Sequence, residues 1–184
     1  FDALFGRQAK TVIEIGFGMG QSLVEMAFSH PDVNFLGIEV HKPGVGHLLL
    51  ESSKKALSNL KVINEDAVSV ISDKIPDNSL WGINIFFPDP WHKKRHHKRR
   101  IISAENLGIF ARILKPKGQL IMTTDVHDLA QWMATQASIH PSFTWTAQNS
   151  ADWQTKPESW FSTHYEMKGA NHSDKVQSYL IFRK

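Results

Sequence analysis

The sequence predicts an α/β fold: a mostly parallel, seven-stranded sheet with helices on both faces and an antiparallel strand near one edge. Three observations carry this. Strand and helix signals alternate five times, which requires crossover connections and a parallel sheet. The strand segments are near-continuous apolar runs, as befits strands buried on both sides. Three glycines, Gly16, Gly18 and Gly20, separate the first strand from the first helix of the alternation.

Residues 10–17 (KTVIEIGF) are β-branched and apolar and form the first strand. A helix follows over 21–29, where Leu23, Val24 and Ala27 recur at helical spacing. The second strand spans 34–40, a helix 48–57, and a short third strand 61–64 leads into a helical turn at 67–71. The fourth strand covers 80–87. A helix over 104–114 is closed by Lys115-Pro116-Lys117-Gly118, a helix-breaking sequence, before a fifth strand at 119–124 and a helix at 129–138. Beyond His140-Pro141 the pattern turns irregular. Segments 143–146 and 176–182 read as two closing strands, one of them antiparallel, and 149–160 reads as a loop with room for a lid.

The 184 residues fit one domain, 1–184, with no second domain and an upstream N-terminal segment missing ahead of Phe1. The composition, 41% hydrophobic and 21% charged, is that of a soluble globular protein, and no apolar run is long enough for a membrane span. Cysteine is absent, which excludes disulfides, thiolate catalysis and Cys-ligated zinc; together with the lack of a signal peptide this points to the cytoplasm. Nothing decides between a monomer and a homodimer. The net charge of +3 is local: six of the ten residues 91–100 are Lys or Arg, and the rest of the chain carries 15 basic against 18 acidic residues. Such a patch points to nucleic acid.

The glycine turn Glu14-Ile15-Gly16-Phe17-Gly18-Met19-Gly20 lets the backbone come close to a ligand, and Glu39, ending the second strand, is placed to accept from ribose hydroxyls. A dinucleotide fingerprint would need glycine at position 21, where Gln21 stands. Glu14 and the absence of Lys or Arg in the turn suit an ammonium and a sulfonium better than a pyrophosphate, which is the charge pattern of S-adenosylmethionine. Asp66, with Ala67 beside it, follows the third strand where an adenine amino group needs an acceptor. Taken singly, the glycines could serve packing and Glu39 could be a solvated acid; the acids on successive strand ends make the ligand reading specific.

Asp89 follows the fourth strand beside the topological switch point and should face the reactive methyl group, held stiffly between Pro88 and Pro90. Next comes His92-Lys93-Lys94-Arg95-His96-His97-Lys98-Arg99-Arg100, too cationic for a comfortable helix and suited to phosphates. Six cations around the histidines, with Asp89 the one nearby carboxylate, argue against a metal. A solvated basic loop is the plainer alternative.

Residues 14–20 (EIGFGMG), 37–41 (GIEVH) and 86–93 (FFPDPWHK), with Lys98-Arg99-Arg100, resemble the bacterial tRNA (guanine-N7-)-methyltransferases over nearly the whole chain. The resemblance implies a class I S-adenosylmethionine-dependent methyltransferase (Rossmann-like) fold and methyl transfer to N7 of a guanosine in the tRNA variable loop. It implies cofactor contacts from Glu14, Gly16, Gly18, Gly20, Glu39, Asp66, Ala67 and Asp89, with Asp89 catalytic. It also implies substrate contacts from Lys93, Asp125, Thr163, His164, Tyr165 and Glu166, and RNA contacts from Arg95, His96, His97, Lys98, Arg99 and Arg100. Where the family has a Trp-acid pair after Asp125 this chain has Val126-His127, and His164-Tyr165 replaces the usual Lys-Phe. A methyltransferase on another acceptor and a non-catalytic RNA-binding module are the competing readings.

Overall fold

The computed structural model describes residues 1–157 and 176–184. Seven strands, β1 (Lys10–Ile15), β2 (Val33–Ile38), β3 (Leu60–Ile63), β4 (Leu80–Phe86), β5 (Leu114–Thr124), β6 (Thr144–Trp145) and β7 (Ser178–Arg183), form one sheet in the order β3-β2-β1-β4-β5-β7-β6. The pairs from β3 through β5 are parallel, whereas β7 is antiparallel to both β5 and β6. β7 is therefore the reversed strand, one place in from the edge.

The order reverses at β1, which pairs with β2 on one side and β4 on the other. Ile15 lies opposite both Ile38 and Ile85, so the carboxyl ends of three strands reach one rim, where ligands of open α/β sheets bind. Side-chain alternation assigns the two faces. Ile13, Ile15, Leu36 and Ile38 join the larger core with α4 (Ala67–Asp73), α5 (Ala104–Ile113) and α6 (His127–Ile139). Phe35, Leu23, Val24 and Leu48 form a second core under α2 (Gln21–Ser29) and α3 (Lys42–Lys54). Short helices α1 (Asp2–Phe5) and α7 (Ala151–Gln154) complete the α-helices among the described residues. Among the described residues no helix is long and apolar enough to cross a membrane.

Four segments differ from their sequence expectation. α3 starts at Lys42 rather than at 48, with Pro43 tolerated in its first turn, where its missing N–H has no partner to lose. The Lys115–Gly118 breaker ends α5 but belongs to β5: the register slips between Leu80–Leu114 and Gly82–Gln119, and Lys117 at φ 69° takes up the irregularity. The loop at 149–160 contains α7, whose start is tied by the Asp152 carboxylate accepting from the amides of Gln148 and Asn149. The basic run, too cationic in appearance for a helix, is a 3-10 helix over Lys94–Arg99.

Candidate active site

The glycine turn is built from left-handed backbone. Gly16, Gly18 and Gly20 have φ of 73°, 58° and 74°, values that cost an L side chain strain. Gly20 opens α2, and a Cβ there would sit 2.6 Å from the Leu48 side chain. α3 braces the same turn from below: His47 Nδ1 donates to the Met19 carbonyl at 2.7 Å, and a Cβ on Gly44 would lie 1.9 Å from the Gly18 carbonyl oxygen. Gly44 is a residue that sequence reasoning missed. Its only local signal is a glycine in a helix's first turn, which says nothing of what packs on it.

Glu39, just past β2, ties this turn to the next strand end. One carboxylate oxygen accepts from Gly18 N at 2.9 Å, and the other accepts from Val40 N and His41 N at 2.8 and 2.9 Å. A carboxylate has about four acceptor positions, so one stays open for a ribose hydroxyl. Asp66 caps α4 by accepting from Ser69 N at 3.0 Å and keeps its other oxygen for a further donor. Glu14 is only 2% exposed. Burial pushes its carboxyl up to about 8, a hydrogen bond from Ser22 opposes this, and Oε2 has no hydrogen-bond partner among the described residues. A neutral carboxyl with one idle oxygen suits an arriving ammonium.

Beyond β4 the chain bends twice into the left-handed region, at Phe87 and Trp91, both at φ 47°. Such positions in bulky residues need support from their surroundings. Phe87 N donates to Thr123 O at 2.9 Å, and the Pro90 carbonyl accepts from Arg100 Nε at 3.0 Å. Between these ties lies exposed Asp89. The Trp91 ring carries the Arg99 guanidinium 5.0 Å from its centroid and the His96 ring edge-on at 5.9 Å.

A cavity of about 530 Å³, ample for a nucleoside-sized ligand, is lined by Gly16, Glu39, Asp66, Ala67, Asp89 and Arg99 together with apolar Ile38 and Trp91. Acceptors for ribose and amine, an apolar wall for a purine, and buried Glu14 one residue before the lining fit S-adenosylmethionine. Glu14, Gly18 and Gly20 do not line the cavity; they shape it from behind. Lys93, Arg95 and Lys98 are exposed, and Asp125, half-buried, follows β5 outside the cavity lining. Thr163, His164, Tyr165 and Glu166 lie outside the described residues.

Arg100 differs from the rest of the basic run: it is 3% exposed, its guanidinium paired with Asp128 and its Cζ 5.3 Å from the Trp132 ring centroid. That hydrogen bond holds the Asp128 carboxyl below the usual carboxylate range. His97 is half-buried against the same Trp132 ring at 5.8 Å. Charge alone could not separate these two from their exposed neighbours.

A family model described as "Putative methyltransferase" matches residues 8–179. The tRNA (guanine-N(7)-)-methyltransferase of Shewanella amazonensis is 49% identical over 172 residues, covering 92% of this chain and 71% of that protein. The protein of the same name from Legionella pneumophila is 42% identical over 181 residues, covering 98% and 80%. Among solved structures, the 16S rRNA methyltransferase KamB superposes with a TM-score of 0.71 at 14% identity over 100% of this chain and 91% of that one, a likeness of fold alone. The chain is thus a member of the tRNA (guanine-N(7)-)-methyltransferase family, an S-adenosylmethionine-dependent enzyme on the class I methyltransferase fold.

Proposed function

We propose that Asp89 holds a guanosine of the tRNA variable loop for methylation at N7, and that the exposed cations of the basic helix hold the RNA backbone around it. The observation that carries this is the shared cavity: Glu39 and Asp66, the cofactor-side acids, open onto the same space as Asp89 and Arg99. The enzyme works in the cytoplasm as one catalytic domain, a monomer or a homodimer.

S-adenosylmethionine supplies an electrophilic methyl group on a sulfonium. Guanine N7 has an in-plane lone pair in the neutral base, so no residue has to remove a proton first, and positioning dominates the rate. Asp89, ionised, accepts from the guanine N1–H and 2-amino edge and stabilises the positive charge that develops on the purine. Arginine commonly donates to guanine N7 and O6, and such a contact would occupy the nucleophilic lone pair. Arg95 and Lys98 therefore serve phosphates, with Lys93 at the target nucleotide and Asp125 beside it. Incubation with tritiated S-adenosylmethionine and bulk tRNA, followed by cleavage at 7-methylguanosine, tests the reaction; label at a base amine would assign a different acceptor.

Two predictions follow from electrostatics. Glu14 is raised from 4.5 to about 8 in the fold. Between those values the folded chain holds one proton more than the unfolded chain, so stability without cofactor falls as pH rises through that window. Glu14→Gln should flatten this fall in pH-dependent melts. Cofactor binding at pH 7, by bringing an ammonium to Glu14, should release a proton. Calorimetry in buffers of different ionisation enthalpy measures it, and the Gln variant should release none.

The second concerns exposed Arg95 and Lys98. Replacing either by Ala should weaken tRNA binding and lower the slope of log affinity against log salt by about one. Filter binding over a salt series reads both. An unchanged slope would remove the residue from the phosphate contacts.

A further inference from the structure

We propose that Arg100 is a positioning residue for Asp89, acting through the Pro90 carbonyl rather than on RNA; the inference rests on the role given to Asp89 above. Pro88 and Pro90 lack N–H groups, so within 88–90 the backbone has one donor, at Asp89, and is otherwise anchored through its carbonyls. Arg100 Nε supplies the donor for Pro90 O at 3.0 Å. That carbonyl adjoins Trp91, whose left-handed φ of 47° needs an external hold.

The donor itself is fixed on two more sides. Its Nη2 is bonded to Asp128, in the first turn of α6, and its Cζ lies over the Trp132 ring one turn further on. Trp132 is oriented in turn by donating its Nε1–H to Ile102 O at 2.8 Å. The Arg100 side chain is 1% exposed and that of Asp128 65%, so the guanidinium points inward and the carboxylate closes it off from solvent. One buried cation thereby joins the end of the basic helix, the start of α6 and the Asp89 segment. The planar, forked guanidinium serves Pro90 O through Nε, Asp128 through Nη2 and the Trp132 face at once; an ammonium on a flexible stem lacks that fixed geometry.

The test is a cycle of Arg100→Lys and Asp89→Asn, read by kcat and KM for tRNA below the melting temperature. Arg100→Lys is expected to lower kcat about 10- to 100-fold, as misplacement of a catalytic group by up to an ångström does. The KM for tRNA should stay at wild type. In the Asp89→Asn background the same change should cost little, because the group it positions is gone. Two results would overturn the inference: wild-type kcat in Arg100→Lys, or an equal loss in both backgrounds. Wild-type turnover by Asp89→Asn alone would instead overturn the role of Asp89. If Arg100→Lys does not fold, Asp128→Asn takes its place in the cycle. It should lower kcat about two- to tenfold, the worth of one charge-assisted hydrogen bond made neutral, and again only where Asp89 is present.

Discussion

Replacing Asp89 by Asn is expected to lower kcat by about 10²- to 10³-fold, the loss seen when one preorganised electrostatic contact to a transition state is removed, while the cofactor still binds. The substitution keeps the shape of the side chain and the prolines beside it. It removes a negative charge and turns one acceptor oxygen into a donor, which then faces another donor on the N1–H and 2-amino edge of guanine. The chemistry loses both the orientation of the base and the counter-charge to the cation formed at N7. Because Asp89 is exposed, its removal should leave the melting temperature within the small range typical of surface changes, so the lost rate cannot be ascribed to unfolding. Single-turnover assays with saturating cofactor and tRNA measure the step directly. Turnover near wild type would move the catalytic role to another residue.

How much of this site is legible in the sequence depends on how locally each feature is encoded. Period and composition mark β1, β2 and β4 to within a residue or two, because a strand buried on both faces must be apolar along its length. Gly16, Gly18 and Gly20 announce a tight turn, and the acids Glu39 and Asp66 come to the same rim because parallel strands deliver their ends together. Features that depend on contacts between distant segments are silent. The start of α3 is obscured by Pro43 and Gly44, poor helix formers, and Gly44 is packed against the Gly18 carbonyl. Arg100 looks like its neighbours until the fold places Asp128 and Trp132 around it. The left-handed bends at Phe87 and Trp91 have no sequence signal, since bulky residues ordinarily avoid that region.

Gly44→Ala should abolish cofactor binding at ordinary concentrations, raising Kd about 100-fold, on the scale of a one-ångström misplacement in a site. The added Cβ would stand 1.9 Å from the Gly18 carbonyl oxygen, and real Cβ contacts essentially never fall under 3.0 Å. More than an ångström must therefore open between two backbone segments, with no flexible side-chain tip to give way. If α3 recedes, His47 loses its hold on Met19 O; if the Gly18 peptide moves, its N–H leaves Glu39. Either route disorders the carboxylate expected to receive the ribose, and overpacking costs the fold about 1–3 kcal/mol besides. Gly46→Ala is the matched control. It lies two residues along the same helix with none of the described residues within 4 Å of its Cβ, so it should bind cofactor normally and gain about 0.5–1 kcal/mol from better helix propensity. Cofactor titration and thermal melts of the two variants separate a helix effect from a loop effect. Normal cofactor affinity in Gly44→Ala would mean that the Gly18 turn yields freely, and that Glu39 is held by Val40 and His41 without it.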